Sequence, residues 1–178
     1  MTKRIAIISN GPSAWMFSDA RREDYDAVIG VNGRVARFVC DWWCFVDWST
    51  FAEVKPINHP KLFIAQNAID KLHSFVPERV GELTNYELLI QNQITLPPFP
   101  DNMPKWNSYS GLPALVLAWH LGAKEIHVFG ADMSGNLDHD GLPGASRHEV
   151  RWNRELAIWF QITQALRNLN VMVWRILP

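Results

Sequence analysis

Apolar residues occur along the chain in short runs, and each run is closed by a polar or glycine-containing turn. Six of these runs predict buried strands, over 4–9, 27–31, 42–46, 61–65, 126–130 and 171–176. The segments between them predict helices over 13–22, 67–75, 111–121 and 147–168, with a helical turn over 50–54. Pro113 falls in the first turn of the third helix and Gly122 just past its end, where such residues start and stop helices.

The segment 76–108 departs from this pattern. Five of its residues are prolines, and only 86–90 within it predicts a strand. Long excursions in compact domains often act as lids or ligand loops. We therefore expect an irregular, lid-like excursion over about 76–108.

Strands that alternate with helices predict βαβ units, a parallel sheet and helices on both of its faces. The length of 178 residues fits one such unit. The predicted fold is a Rossmann-like three-layer α/β/α domain with a mostly parallel sheet. We expect residues 1–178 to form this single domain, and we expect the domain to bind a nucleotide. Ligands bind such sheets beyond the carboxyl ends of the strands, so the loops at those ends are the candidates for chemistry.

The composition narrows the class of partner. A net charge of -1 and a pI of about 6.6 argue against bulk binding to nucleic acid or to an anionic membrane, although a small anion needs only a local basic pocket. Cys40 and Cys44 are too few for a disulfide scaffold and are expected to be reduced thiols in or near the core. No signal peptide and no membrane span of ~18 apolar residues is recognisable, so a cytoplasmic protein is expected. The oligomeric state is left open, a homo-oligomer included.

Tryptophan is unusually frequent, with nine residues scattered through the sequence. Most of them are expected to be core or rim side chains. Trp15 and Trp106 lie beside the candidate loops, and they are the tryptophans that we consider for stacking on a base or sugar ring.

The loop after the first strand reads Ser9-Asn10-Gly11-Pro12-Ser13. Gly11 allows the backbone to approach a ligand closely, Ser13 is expected to cap the helix, and the N–H groups of the helix start suit an anion. The loop after the second strand contains Asn32 and Gly33, and the asparagine offers donors and acceptors to a ribose or phosphate. Neither loop matches the dinucleotide fingerprint or the P-loop, and plain turns are the alternative.

Two later loops add candidates. Asn107 to Gly111 leads into the third helix, where Ser108 and Ser110 are expected to cap and the exposed amides form a second anion site. Gly130 and Asp132 follow the strand at 126–130. Asp132 is interpreted as an acceptor for a sugar hydroxyl or as a metal ligand, with a simple turn aspartate as the alternative.

Basic residues open the last helix. If this helix begins near 147, then Arg147, Arg151 and Arg154 share one face, and three guanidiniums suit a diphosphate or another polyanion. His148 is a candidate general acid or base, since histidine titrates near neutrality. A solvated basic face is the alternative. Upstream, the segment 138–140 (Asp-His-Asp) either binds a divalent ion or is a polar loop.

Taken in order, these motifs resemble the single-domain bacterial CMP-sialyltransferases of glycosyltransferase family 42. The shared features are Asn-Gly-Pro-Ser after the first strand, Val31-Asn32 after the second, Ser110-Gly111 opening a helix, and Leu121–Ile126 leading to Phe129-Gly130-Ala131-Asp132. The same features are similar to a broader group around the archaeal 6-hydroxymethyl-dihydropterin diphosphokinases. The resemblance covers residues 4–33 and 107–177.

The resemblance implies roles for individual residues. The turn at 10–13 would lie along the nucleotide phosphate and ribose, and Asn32 would contact the ribose or phosphate. Ser110-Gly111 would lie near the base, and Asp132 would lie beside the nucleotide. His148 would match the histidine that deprotonates the acceptor hydroxyl.

One departure from the family concerns the leaving phosphate. The family holds this phosphate with tyrosines after the Gly-x-Asp strand end, whereas residues 133–137 of this chain contain none. We infer from the residues, not from the resemblance, that Arg147, Arg151 and Arg154 bind the phosphate instead.

The leading hypothesis is a nucleotide-binding transferase, a sialyltransferase-like glycosyltransferase that uses a nucleotide-activated donor. The first alternative is a pyrophosphokinase of the pterin diphosphokinase-like group, which would need Mg²⁺ held by Asp132 and by Asp47 or Asp138. The second alternative is a protein that binds or sequesters a nucleotide without turnover. Apart from Mg²⁺ in the first alternative, no cofactor is implied.

Overall fold

The strands form a single parallel sheet. The computed structural model describes residues 2–99, 109–133 and 149–177. Within these ranges the strands are β1 (Arg4–Ile8), β2 (Ala27–Val31), β3 (Trp42–Phe45), β4 (Lys61–Ile64), β5 (Leu88–Ile90), β6 (Glu125–Phe129) and β7 (Met172–Arg175). They pair in the order β5-β4-β3-β2-β1-β6-β7, and every neighbouring pair is parallel.

Helices cover both faces of this sheet. The α-helices are α1 (Trp48–Glu53), α2 (Gln66–Phe75), α3 (Gly111–His120) and α4 (Glu149–Asn168). Shorter 3₁₀ helices span Pro12–Met16, Asp19–Asp24, Asn32–Ala36, Pro77–Asn85 and Gln91–Gln93. The predicted Rossmann-like α/β fold is confirmed, because a parallel sheet buried on two sides needs a helical layer on each.

Strand β1 shows the two-sided burial directly. Ile5 and Ile7 belong to the apolar cluster that packs against α3 and α4, whereas Ala6 and Ile8 belong to the cluster on the opposite face. All four side chains are fully buried. Successive side chains of a strand point to opposite faces, so a continuous apolar run is what a doubly covered strand requires.

One prediction of local structure differs from the observed chain. The single helix expected over 13–22 is two 3₁₀ helices, since Phe17 between them adopts an extended conformation. Phe17 is buried in edge-to-face contact with Phe129 and Phe38. This packing in the core favours the extended backbone at Phe17 over a continuous helix. In the segment 76–99, β5 matches the strand predicted over 86–90, and the 3₁₀ helices Pro77–Asn85 and Gln91–Gln93 flank it. Residues 100–108 lie outside the described ranges.

The strand order defines a switch point between β1 and β6. From β1 the chain adds β2 to β5 on one side, and β6 then returns to pair with the other side of β1. The 3₁₀ helix Pro12–Met16 that follows β1 packs through Ala14 on one face of the sheet, whereas α4, the next described element after β6, packs on the other face. Connections that leave neighbouring strands for opposite faces open a crevice at the carboxyl edge. Open α/β sheets bind their ligands in such a crevice.

Two further expectations concern the thiols and the membrane. Cys40 and Cys44 are unpaired and buried, as predicted. Burial raises the pKa of the Cys40 thiol to about 12 and raises the pKa of Cys44 further, so both are protonated at neutral pH. Among the helices of the described ranges, none has the length and apolar character needed to cross a bilayer.

Candidate functional site

A cleft lies at the carboxyl ends of β1, β2 and β6, where the switch point predicts a ligand site. Its volume is about 500 Å³, including the open mouth. Three loops, the start of α3 and one face of α4 line it, through Ser9, Asn10, Gly11, Val31, Asn32, Ser110, Gly111, Gly130, Ala131, Met133, Arg151, Trp152, Glu155 and Trp159.

The loops after β1 and β6 are joined by a set of hydrogen bonds. The Gly11 N–H donates to the Gly130 carbonyl at 2.7 Å, and the Gly130 N–H donates to the Ser13 hydroxyl at 2.9 Å. The Ser13 N–H in turn donates to the Asp132 carboxylate at 3.0 Å. Ser13 therefore ties the two loops together. The prediction that its side chain caps the following helix is wrong, because the cap position is Gly11 and no side chain caps this helix.

Two glycines make the close approach of these loops possible. A Cβ atom on Gly11 would lie 2.1 Å from an Asp132 carboxylate oxygen and 2.5 Å from the Gly130 carbonyl oxygen. Gly130 has a φ of +71°, and a Cβ there would lie 2.2 Å from the Ser9 carbonyl oxygen. Any side chain at either position would push the loops apart, so backbone forms this part of the cleft.

At the ends of β1 and β2, two polar atoms of the cleft wall are buried without a hydrogen-bond partner among the described residues. They are the Ser9 hydroxyl, on a residue that is 9% exposed, and the Asn32 Oδ1 atom. Asn32 is held in place by its backbone, with a φ of +52° and its carbonyl accepting from the Trp43 indole N–H at 2.9 Å. Buried polar atoms without partners are costly and uncommon, so these two are suited to a polar ligand.

The start of α3 contributes Ser110 and Gly111 to the same cleft. Ser110 occupies the cap position, but its side chain makes no capping hydrogen bond, contrary to the prediction. A Cβ on Gly111 would lie 3.4 Å from the Ser9 hydroxyl, so the helix start and the end of β1 are in contact. The first turn of a helix has N–H groups without intrahelical partners and a partial positive charge, which favour an anion.

One face of α4 forms the opposite wall, with Arg151, Trp152, Glu155 and Trp159. The Arg151 Nε atom lies 3.5 Å from a Glu155 carboxylate oxygen, and its guanidinium lies 5.1 Å from the centre of the Tyr109 ring. Arg151 was predicted from the sequence as a site residue, whereas Trp152, Glu155 and Trp159 were not. Their spacing at 152, 155 and 159 places them on one helix face, which was the available signal.

The structure brings together part of the predicted site. Seven of the predicted residues line the cleft: Asn10, Gly11, Asn32, Ser110, Gly111, Gly130 and Arg151. Five others are described but do not line it: Pro12, Ser13, Gly33, Asp132 and Arg154. Ser13 and Asp132 lie directly behind the cleft in the loop-joining hydrogen bonds, and Arg154 is exposed on α4.

The remaining candidates either lie away from the cleft or fall outside the described residues. Trp15 is 68% exposed and does not line the cleft. Trp106, Ser108, Arg147, His148 and the segment 138–140 lie outside the described residues. Within the described ranges, no group of three His, Cys, Asp or Glu side chains is arranged to hold a metal ion.

A likeness to known proteins is found among solved structures. No protein-family model matches the sequence, and no curated protein matches it. Among solved structures, the chain is similar to the sialyltransferase CST-II in complex with a trisaccharide acceptor and CMP, with a TM-score of 0.50 and 13% sequence identity. The similarity covers 97% of this chain and 80% of that one. At this identity the match shows a shared fold.

Proposed function

We propose that the cleft binds the nucleotide part of an activated donor and that the protein is a glycosyltransferase-like transferase. The observation that carries the proposal is the position of the cleft at the β1–β6 switch point, with the Ser9 hydroxyl and Asn32 Oδ1 buried in its wall without described partners. The CMP held by a protein of the same fold supports a nucleotide as the ligand.

The two walls of the cleft suit different parts of a nucleotide. The loops after β1 and β6 and the start of α3 present backbone and small polar groups, which suit the phosphate and the ribose. Arg151 on α4 supplies positive charge at the other side, and Trp159 offers a partly buried ring on which a base can stack. Arg147 and Arg154 are proposed as further phosphate ligands near the start of α4.

His148 is proposed as the general base of the transfer. It would take the proton of an acceptor hydroxyl while the acceptor oxygen forms a bond to the anomeric carbon of the donor sugar. The bond between that carbon and the phosphate oxygen breaks, and the nucleotide leaves with its electron pair. The atoms and electrons of this proposed step balance without a metal ion or an organic cofactor.

A thermal-shift series tests the proposal, with CMP, CDP, CTP, UDP, GDP, ADP and ATP, each with and without Mg²⁺. A ligand at about 100 times its dissociation constant adds roughly 2.7 kcal/mol to the free energy of unfolding. At this chain length, each kcal/mol moves the midpoint by about 2–4 °C. Asn32→Ala should lose the shift, and Asn92→Ala, exposed at the far edge of the sheet, should keep it.

Each outcome has a distinct meaning. A shift with one base supports the nucleotide site and selects the activated sugars for a transfer assay. Strict dependence on Mg²⁺ favours the pyrophosphokinase alternative, and tight binding without transfer favours a protein that only binds the nucleotide. A flat series that stays flat at millimolar nucleotide contradicts the proposal.

A further inference from the structure

Arg34 is a buried cation directly behind the cleft. It is 6% exposed and lies in the 3₁₀ helix Asn32–Ala36 that follows β2. This helix packs closely onto its own strand: a Cβ added to Gly30 would lie only 2.7 Å from the Val35 side chain. The Arg34 Nε–H group donates to Asn10 Oδ1 at 3.0 Å, and so links the end of β2 to the end of β1.

This contact determines which way the Asn10 amide faces. A guanidinium has only donors, so the Asn10 atom that meets it must be the carbonyl oxygen and not the amide nitrogen. The amide nitrogen, Nδ2, then carries its two N–H donors away from Arg34. Asn10 lines the cleft, and within the described residues no hydrogen bond occupies Nδ2.

We propose that Arg34 is a positioning residue that holds the Asn10 amide with its N–H donors available to the ligand, so that this point of the cleft selects an acceptor oxygen. The inference rests on the proposed nucleotide site and deepens it. The acceptor is an oxygen of the phosphate or of the ribose, and a negatively charged oxygen gains most because charge strengthens the hydrogen bond.

Two substitutions of Arg34 separate this role from a structural one. Lysine, like arginine, has donors and no acceptor, so Arg34→Lys preserves the orientation of the Asn10 amide. Glutamine offers both donors and an acceptor, so Arg34→Gln allows the amide to flip. We expect Arg34→Gln to weaken CMP binding about tenfold and Arg34→Lys to weaken it much less. Arg37→Gln, exposed at the end of the same 3₁₀ helix, is the matched control and should bind CMP normally.

Two further variants guard against a simple folding defect. Asn10→Asp keeps an acceptor for Arg34 and replaces the Nδ2 donors with oxygen, so we expect unchanged or higher thermal stability with CMP binding more than tenfold weaker. In an Asn10→Ala background, Arg34→Gln should cause no additional loss of CMP affinity, because Arg34 acts through Asn10. If Arg34→Gln lowers the CMP affinity of Asn10→Ala by the same factor as it lowers that of the wild type, the proposal is overturned.

A ligand-free measurement separates this inference from the proposed function. The side-chain amide signals of Asn10, identified in a ¹⁵N–¹H spectrum by their absence in Asn10→Asp, should move in Arg34→Gln and stay near their place in Arg34→Lys. Signals that do not move in Arg34→Gln overturn the role of Arg34. If they move as expected and the wild-type chain binds neither CMP nor cytidine, then only the nucleotide proposal fails. Comparing cytidine with CMP in Arg34→Gln shows whether the acceptor belongs to the ribose or to the phosphate.

Discussion

The backbone N–H of Ser13 donates to the carboxylate of Asp132 at 3.0 Å, across 119 positions of sequence. Together with the Gly130–Ser13 hydrogen bond, this contact holds the loops after β1 and β6 against each other. The shape of the cleft floor therefore depends on one carboxylate that does not itself line the cleft.

Substitution of Asp132 tests this contact. Asp132→Ala removes an acceptor from a charge-assisted hydrogen bond, so we expect the free energy of unfolding to fall by about 1.5–3 kcal/mol, with weaker CMP binding as the loops separate. Asp132→Asn keeps an acceptor oxygen and should retain most of both properties. Urea unfolding and calorimetric titration with CMP measure the two effects. If Asp132→Asn and Asp132→Ala weaken CMP binding equally and leave the free energy of unfolding unchanged, Asp132 contacts the ligand or a metal instead.

The glycine at position 11 provides a steric test of the same floor. A Cβ atom there would overlap both Asp132 and Gly130, so Gly11→Ala should cost about 1–3 kcal/mol of stability and abolish the CMP-dependent thermal shift. Gly81→Ala is the matched control, since a Cβ at Gly81 meets nothing within 4 Å. Thermal unfolding with and without CMP compares the variants. A Gly11→Ala protein with normal stability would contradict the close approach of the loops.

Trp159 is expected to stack on the base. Stacking on an aromatic side chain contributes about 1–3 kcal/mol per base, so Trp159→Leu should weaken CMP binding about tenfold or more. Ribose 5-phosphate has no base, and its affinity should not change. Trp174→Leu, which alters a half-exposed tryptophan on β7 away from the cleft, is the control. Equal losses for CMP and ribose 5-phosphate would show that Trp159 supports the cleft without touching a base.

His148 is expected to affect turnover and not binding. His148→Ala should lower the transfer rate about 10²–10⁴-fold, the range of general acid–base catalysis, and leave the dissociation constant of CMP nearly unchanged. His73→Ala, an exposed histidine in the last turn of α2, should have no effect on either. Steady-state transfer assays and CMP titrations give the two quantities. Unchanged turnover in His148→Ala would show that His148 is not the general base.

A second polar network lies away from the cleft and makes stability depend on pH. Glu125 accepts from Arg4 at 3.0 Å and contacts the His127 ring at 2.8 Å, and His127 in turn contacts the Tyr25 hydroxyl at 3.0 Å. The hydrogen bond with His127, followed by the contact with Arg4, lowers the pKa of Glu125 below its usual value of 4.5.

The sign of this effect follows from linkage. A carboxyl group with a lowered pKa in the folded state stabilises the protein above its unfolded pKa of about 4.5, and this contribution disappears as the pH falls through the folded pKa. Glu125→Gln should therefore lose stability at pH 6 and show a flatter decline between pH 5 and 3 than the wild type. The exposed Glu53→Gln is the control. Urea unfolding at several pH values measures the curves, and parallel curves for Glu125→Gln and wild type would refute the prediction.

The strands and most helices could be predicted from the sequence because their signals are local. Apolar runs bounded by polar turns place β1, β2, β3, β4, β6 and β7 to within about two residues of their observed ends. The same patterns identify the loops at the carboxyl edge, and from these Asn10, Asn32 and Ser110 reach the cleft. The segment 13–22 was predicted less well, because burial of Phe17 in the core overrides a local helical tendency.

The tertiary structure alone decided how these parts combine. The pairing of β6 with β1 makes Ser13 and Asp132 partners, the rotation of α4 turns Trp152, Glu155 and Trp159 towards the cleft, and the packing of a 3₁₀ helix onto β2 brings Arg34 to Asn10. The spacing of 152, 155 and 159 marks one helix face but not the direction in which that face turns, and the other two contacts join segments far apart in sequence. Local propensities depend on neighbouring residues, whereas strand pairing and helix rotation depend on burying apolar surface shared by segments far apart in sequence.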